Sequence, residues 1–325
     1  MDLQDASPNR RHTRRTARAK VNLALAVDKP NAEAMHPICS WMARINLADD
    51  LHITRLEDDR LSRYAIRWHD EAPIKTNIDW SITADLAVRA HLLLEDETAR
   101  RLPVQLRLDK RIPVGGGLGG GSADAAATLS AVNELFDLNI PHDRLAQLAL
   151  TLGSDVPFFL SDHPTGIVSG LGESFEPTAP VSAALVLIFP AFGCPTGPVY
   201  RAFDNLPAAS FRADTIRALA RADSIDSSQL FNDLAPAAEA VAPRHPVPRP
   251  PPRLDLVPQF RIHPGKLPEQ PRAPDHPRRR LAITIAQRRQ HRAVAVRADK
   301  HIPRRPHPVP LQARHLLQRQ LEHRL

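Results

Sequence analysis

The residues with the clearest chemical potential are six glycines among the eight positions 115–122. They follow a strand-like segment at 104–108 and precede a segment rich in Ala and Leu. Such a loop turns several backbone N–H groups toward one anion, and the N-terminus of the following helix adds partial positive charge there. No lysine follows the glycines, and their spacing does not fit the dinucleotide fingerprint. The pattern predicts a phosphate-binding loop of a different nucleotide fold.

The surrounding elements alternate between strands and helices. Residues 21–27 and 104–108 alternate as strands, whereas 79–94, the stretch from the glycines to about 138, and 141–152 carry apolar residues at helical spacing. Gly170 and Gly172 predict a hairpin turn between strands at 165–169 and 173–177. The apolar run 183–189 predicts a buried strand that starts a second domain.

Length and composition exclude several classes of protein. The chain has 325 residues, long enough for two domains, and no apolar run approaches the roughly 20 residues of a membrane span. No signal peptide opens it. Cys39 and Cys194 lie far apart without a Cys/His cluster, so neither a disulfide framework nor a structural zinc site is indicated. We therefore expect a protein of the reducing cytoplasm.

The positive charge is confined to one end of the chain. The net charge is +7, but residues 243–325 alone hold 19 Lys and Arg against 5 Asp and Glu, so residues 1–242 are acidic. Half of the 32 prolines also follow Ala242. A segment of this composition buries too little apolar surface to offset chain entropy, so we expect low order there. Residues 1–18 carry five arginines and predict a disordered basic extension.

Beyond the glycines, further segments carry a family resemblance. The loop resembles the phosphate-binding motif of the galactokinase, homoserine kinase, mevalonate kinase and phosphomevalonate kinase (GHMP) superfamily. Residues 19–25 (AKVNLAL), Met35-His36, residues 152–159 (LGSDVPFF), 170–173 (GLGE) and 232–234 (NDL) are similar to segments of the 4-diphosphocytidyl-2-C-methyl-D-erythritol kinase family. The similar segments occur in the family's order, from about residue 17 to 242.

The resemblance implies a role for each matching residue. Asp155 would be the catalytic carboxylate and Lys20 would hold it ionised. Without the resemblance, the residues alone favour a turn-capping role for Asp155. Asn22, two residues along the same strand face, would bind substrate. His36 would hold the cytosine by hydrogen bonding and Tyr200 by stacking. The phosphate-binding residues would be Pro113, Gly115, Gly116, Gly117, Leu118, Gly119, Gly120, Gly121 and Ser122, the last also a candidate helix cap.

The implied fold is α+β, with a ribosomal-S5-like N-terminal domain and an incomplete ferredoxin-like C-terminal domain. We divide the chain into an extension (1–18), an ATP-binding and catalytic domain (19–178), the start of the C-terminal domain (179–242) and a tail (243–325). The implied reaction is phosphorylation of the 2-hydroxyl of 4-diphosphocytidyl-2-C-methyl-D-erythritol by ATP with Mg²⁺, in non-mevalonate isoprenoid synthesis. We expect a small-molecule substrate, neither a membrane nor a nucleic-acid partner, no dedicated metal cage, and a monomer or homodimer.

Alternatives remain open. The chain fits another small-molecule GHMP kinase, or an ATP-binding relative with impaired catalysis. Met35 replaces the family's aromatic residue beside His36, Gly116 an alanine and Ala123 a second serine. The family's second glycine motif, x-S-G-[ST]-G, is missing, since only Gly265 follows Ala242. We hypothesise a change of reading frame near 242–244; the rival is a basic tail that binds anionic partners such as RNA.

The frame hypothesis predicts an outcome at the nucleotide level. Translation of the coding strand beyond codon 242 in the other two frames should reveal a glycine motif of the type x-S-G-[ST]-G. Sequencing the gene from its source DNA checks this. If neither frame contains the motif, the frame hypothesis is wrong and the basic-tail interpretation remains.

Overall fold

The computed structural model describes residues 11–189, 194–207 and 209–242, and the backbone of 285–288 and 291–297. The strands in chain order are β1 (His12–Val27), β2 (Ile38–Arg55), β3 (Arg63–Trp68), β4 (Val104–Lys110), β5 (Thr165–Gly170), β6 (Ser174–Pro177), β7 (Ala184–Phe189), β8 (Ile285–Arg288) and β9 (His291–Arg297). The α-helices are α1 (Leu86–Thr98), α2 (Gly120–Leu135), α3 (His142–Leu152), α4 (Val156–Leu160), α5 (Thr196–Asp204), α6 (Ala213–Arg221) and α7 (Ala235–Val241). Two 3₁₀ turns lie at Ile82–Ala84 and Ser227–Gln229.

The long bulged strand β2 organises the first sheet. It pairs antiparallel with β1 on one side, and on the other with β4 through its C-terminal half and β5 through its N-terminal half. Strand β3 pairs parallel with β4, and β6 pairs antiparallel with β5. The α+β class predicted from the sequence is confirmed.

Apolar and polar residues alternate along the strands, and the apolar face of the sheet packs against the helices. Leu51 and Ile53 of β2 and Leu106 and Leu108 of β4 are fully buried, while the residues between them point to the opposite side. The inward residues form one core with Ala87, Ala90 and Leu94 of α1, Leu129 and Val132 of α2, and Leu145 and Leu148 of α3.

Strand β1 begins at His12, inside the segment predicted as a disordered basic extension. Thr13 and Ala17 are buried on one side of the strand, while Arg14 pairs with Asp50 and Arg15 with Glu134. The clustered arginines concealed this alternation in the sequence. Residues 12–18 are therefore part of the sheet.

The predicted helices are present with shifted ends. Helix α1 starts at Leu86 because Asp85 caps it, its Oδ1 accepting from Ala87 N at 2.9 Å, so the helix predicted from residue 79 begins seven residues later. Helix α2 ends at Leu135 rather than near 138, and α3 agrees with the prediction. An additional short helix, α4, follows Gly153 and was not predicted.

The C-terminal part contains β7 and the helices α5, α6 and α7. Strand β7 was predicted as buried, yet Val186 and Ile188 are 64% and 54% exposed, so only its existence is confirmed. It pairs antiparallel with β9, which pairs with β8, so two paired strands lie within the tail for which we expected low order. A ferredoxin-like C-terminal domain stays a prediction, and most of the predicted tail lies outside the described residues. Within those residues, no helix is both long and apolar enough to span a membrane.

Candidate active site

The glycine-rich loop lies between β4 and α2, as predicted. It lines a cleft of about 230 Å³ with Pro113 and every residue from Gly115 to Gly121. Helix α2 begins at Gly120 with Gly119 as its N-cap, so the prediction of Ser122 as the cap is wrong: Ser122 already lies in the first helical turn. The α2 N-terminus and the loop N–H groups together make an electropositive cradle.

Alternate glycines of the loop adopt left-handed backbone. Gly115, Gly117 and Gly119 have φ of 74°, 69° and 68°, values that side chains other than glycine rarely adopt. A Cβ at Gly119 would lie 2.9 Å from the Phe159 ring and 3.1 Å from Lys20 Cγ, whereas one at Gly117 would meet nothing within 4 Å. The loop tip is open, and its base is in close contact with neighbouring side chains.

A buried ion cluster lies beneath the loop. Lys110 Nζ donates to Asp49 Oδ2 at 2.8 Å and to Asp124 Oδ2 at 2.6 Å. Burial alone would lower the Lys110 pKa, but the two carboxylates raise it. Burial raises the Asp124 pKa well above its ordinary value, against the effect of Lys110. Asp49 Oδ1 also accepts the backbone N–H groups of Arg111 and Ile112, so this cluster fixes the start of the loop.

Lys20 and Asp155 form the central charged pair. Lys20 Nζ lies 3.4 Å from Asp155 Oδ2 and donates to Asn22 Oδ1 at 3.1 Å, while its backbone N–H donates to Leu118 O at 2.9 Å. The Lys20 side chain is 6% exposed and that of Asp155 is 24% exposed. Strand β1 thus places the lysine and the asparagine beside the glycine loop, with a carboxylate still open to a ligand.

Arg44, which the sequence analysis missed, holds the helix that presents Asp155. Asp155 is the N-terminal flanking residue of α4, and Arg44 Nη2 donates to Phe158 O at 2.8 Å and Ser161 O at 2.5 Å at the other end. Burial lowers the Arg44 pKa to about 10, and the guanidinium also lies over the Phe158 and Phe159 rings. Arg44 is the β2 partner of Lys20, so adjacent strands hold the two ends of α4.

His36 and Tyr200 come together although they are far apart in sequence. Their ring centroids are 5.1 Å apart at 43°. His36 Nδ1 donates to Asp28 O at 2.8 Å, and Nε2 lies 3.2 Å from Asp204 Oδ1. Burial and the nearby Asp155 carboxylate raise the Tyr200 pKa, so its phenol stays neutral. Because the Asp155 carboxylate acts on the Tyr200 pKa, the His36–Tyr200 pair lies within electrostatic range of the Lys20–Asp155 pair. Met35 beside it is 47% exposed.

The residues that line the cleft include Trp80, Asp85 and Leu86, which were not predicted from the sequence. Trp80 Nε1 donates to Asp85 Oδ2 at 3.2 Å, and Leu86 would contact a Cβ at Gly121 at 3.2 Å. They lie around the start of α1, and nothing in their local pattern distinguishes a cleft wall from an ordinary helix start. The cleft therefore combines an anion cradle with aromatic and apolar surface.

The arrangement favours transfer of a phosphoryl group. A backbone cradle can hold phosphates, a lysine can neutralise developing charge, and a carboxylate held by that lysine can orient a hydroxyl and take its proton. Of the predicted site residues, Pro113 and Gly115–Gly121 line one cleft. Lys20, Asn22 and Asp155 form a cluster beside the loop, where Lys20 contacts Leu118.

The different surroundings of two glycines give a stability prediction. Gly117→Ala should lower the free energy of unfolding by about 1 kcal/mol, the cost of left-handed backbone for alanine. Gly119→Ala should lose about 1–3 kcal/mol more because Phe159 and Lys20 must move. Urea unfolding of the two variants measures both values. Equal losses would contradict the close contact at Gly119.

Several known proteins are similar in sequence to the part of the chain that carries this site. The family model described as "GHMP kinases N terminal domain" matches residues 85–163. A 4-diphosphocytidyl-2-C-methyl-D-erythritol kinase from Polaromonas naphthalenivorans is 34% identical over 228 residues, which are 70% of this chain and 75% of the relative. The kinase of that name from Methylibium petroleiphilum is 39% identical over 57% of this chain, but only 60% of the relative is covered.

A solved structure gives the same assignment. The crystal structure of a 4-(cytidine 5'-diphospho)-2C-methyl-D-erythritol kinase superposes with a TM-score of 0.55 at 32% identity, covering 70% of this chain and 78% of that one. Identity and coverage of this size, together with the cradle and the Lys20–Asp155 pair, establish membership: the chain belongs to the 4-diphosphocytidyl-2-C-methyl-D-erythritol kinase family of GHMP kinases.

Proposed function

We propose that the protein transfers the γ-phosphoryl group of ATP to the 2-hydroxyl of 4-diphosphocytidyl-2-C-methyl-D-erythritol, a step of non-mevalonate isoprenoid synthesis in the cytoplasm. The observation that carries the proposal is the Lys20–Asp155 pair, 3.4 Å apart, at the base of the glycine cradle. Family membership supplies the substrate: the relatives that match this chain bear that substrate in their names.

Asp155 is the general base of the proposed reaction. It accepts the proton of the 2-hydroxyl as that oxygen forms a bond to the γ-phosphorus, and the bond from the γ-phosphorus to the β,γ-bridging oxygen breaks to release ADP. Lys20 keeps Asp155 ionised and lies where negative charge develops. Asn22 fixes the lysine ammonium through Oδ1 and leaves its amide N–H groups for the substrate.

The glycine loop holds the phosphates of ATP. Its left-handed glycines allow backbone N–H groups to face one anion, and the α2 N-terminus adds its dipole. Ser122 in the first turn of α2 offers a hydroxyl for the same phosphates. The Lys110 cluster beneath the loop keeps the cradle in shape before the nucleotide arrives.

Mg²⁺ would accompany the nucleotide. It would neutralise charge on the phosphates, and it would require few protein ligands because Mg²⁺ keeps several waters. Within the described residues no three His, Cys, Asp or Glu side chains form a metal cage. Asp155 and Ser122 are the residues whose oxygens suit this ion.

The cytosine of the substrate would bind at His36 and Tyr200. The two rings lie close together, and the Phe203 ring lies edge-on to His36 at 5.8 Å. These aromatic side chains offer surfaces on which a planar base can stack. Met35 offers a flexible thioether in place of a second stacking ring. The exchange weakens one stacking surface and leaves the phosphoryl-transfer residues untouched.

Two alternative functions can be distinguished from this proposal by experiment. Another small-molecule GHMP kinase would lack affinity for cytidine, which the His36–Tyr200 pair argues against. A relative that binds ATP without turnover would follow from the missing second glycine motif after Ala242. The proposed enzyme acts as a monomer or homodimer without nucleic acid.

Replacing the proposed base tests the activity. Asp155→Asn should lower kcat by about 10²–10⁴-fold because the hydroxyl loses its proton acceptor. ADP release with Mg-ATP and 4-diphosphocytidyl-2-C-methyl-D-erythritol measures it. Asp137→Asn is the matched control, an exposed Asp with φ of 49°, a backbone that asparagine tolerates. Undiminished turnover in Asp155→Asn, or a folded wild type that binds ADP without turnover, would refute the proposal.

The cytosine site gives a binding prediction. Tyr200→Ala should weaken CMP binding by about 10-fold or more, the usual loss when a stacking ring is removed, whereas Tyr200→Phe should keep most of the affinity. Calorimetry of CMP with the wild type and both variants measures these affinities. A wild type that binds ATP but not CMP would favour a kinase for a different alcohol.

A further inference from the structure

A second cavity lies on the outer face of the first sheet, away from the helices. Strands β1 to β4 present a polar surface there, because residues on this face alternate with the core residues of the same strands. The strand register places His52 of β2 between Arg14 of β1 and Arg107 of β4, and Asp109 of β4 between Asp50 of β2 and Arg67 of β3. This face encloses a cavity of about 390 Å³.

Two buried carboxylates form the floor of the cavity. Asp50 and Asp109 are 7% and 5% exposed despite their position on the outer face. Asp50 accepts from Arg14 at 3.0 Å and from Arg111 at 2.8 Å. Each carboxylate is covered by the side chains that bind it.

The second carboxylate is bound in the same manner. Asp109 accepts from Arg67 Nε, and Arg107 Nε lies 3.2 Å from its other oxygen. Four guanidinium groups therefore share two buried carboxylates, three of them from residues that line the cavity and the fourth from Arg111. Asp70 at the cavity mouth is fully exposed and lies 3.9 Å from Lys75. Because Asp70 also lines the cavity, the four arginines exceed the three carboxylates by one positive charge.

The arginines keep donors for a ligand. A guanidinium has five N–H groups, and each arginine facing the cavity uses one nitrogen on a carboxylate. Their flexible side chains are partly ordered by the buried acids, so part of the entropy cost of binding is met before a ligand arrives. Burial, with Arg107 and Arg14 next in effect, lowers the His52 pKa, so the histidine is neutral and the local charge comes from guanidinium groups.

We propose that this cavity binds a phosphate-bearing anion at a site separate from the glycine loop. Paired guanidinium donors match the oxygens of phosphate, and two adjacent arginines suit a diphosphate better than a single anion. Trp68 lines the cavity with its indole N–H fixed on Thr76 O at 2.6 Å, which gives a rigid wall for a larger group.

The two sites are on opposite sides of the same strands. Asp49 and Lys110 point inward beneath the glycine loop, whereas their neighbours Asp50 and Asp109 point into the outer cavity. Arg111 belongs to both regions, since its backbone N–H binds Asp49 and its side chain binds Asp50. A ligand in the outer cavity would contact groups that share these strands and none of the catalytic residues.

The test uses inorganic pyrophosphate and calorimetry, with ADP present to occupy the glycine loop. The double variant Arg14→Gln, Arg107→Gln removes two cavity donors, but leaves each buried carboxylate one arginine, Arg111 and Arg67 respectively. We expect it to bind pyrophosphate at least 10-fold more weakly than the wild type. Inorganic phosphate should bind more weakly than pyrophosphate.

The control removes the same charge elsewhere. Arg63→Gln with Arg100→Gln changes two exposed arginines that do not line the cavity, and it should bind pyrophosphate like the wild type. If the wild-type protein shows no pyrophosphate binding by calorimetry in the presence of ADP, the proposal is wrong. An equal loss in the control would also overturn it, because general charge attraction would then explain binding. Circular dichroism of each variant verifies folding, and the readout is independent of kinase turnover.

Discussion

The site depends on the burial of one lysine. Lys110 joins β4 to Asp49 of β2 and Asp124 of α2, and Asp49 also receives the two backbone N–H groups at the start of the glycine loop. Removing one partner from a buried ion pair typically costs about 3–5 kcal/mol, because the remaining charge has no solvent. The cluster therefore fixes the distance between the sheet and the helix that points at the cradle.

The charged pair at the base of the cradle has a comparable support. Strand β1 brings Lys20 and β2 brings Arg44, which are partners across the ladder, and each holds one end of α4. Phe159 of the same helix contacts the Gly119 position from the other side. A helix of five residues has little stability alone. Its position, and with it that of Asp155, comes from these side-chain contacts and from burial of Val156 and Leu160 in the core.

The sequence predicted the site where local pattern and chemistry coincide. Consecutive glycines before a helix specify an anion cradle, so the positions 115–121 could be located without tertiary information. Arg44 could not be found in this way, because its role depends on carbonyls more than a hundred residues away. Trp80 and Asp85 belong to a helix start that has no distinctive spacing. Residues 12–18 were misassigned because arginines on the outer face of a strand resemble a solvated tail.

The glycine loop has a stiff base and an open tip. Gly119 is enclosed by Phe159 and Lys20, whereas Gly115 and Gly117 have no atom within reach of a Cβ. Substitutions at the tip can therefore alter how fast a nucleotide enters and leaves while the Lys20–Asp155 distance is conserved. Natural selection can adjust exchange rates at one end of the loop independently of the chemical step at the other.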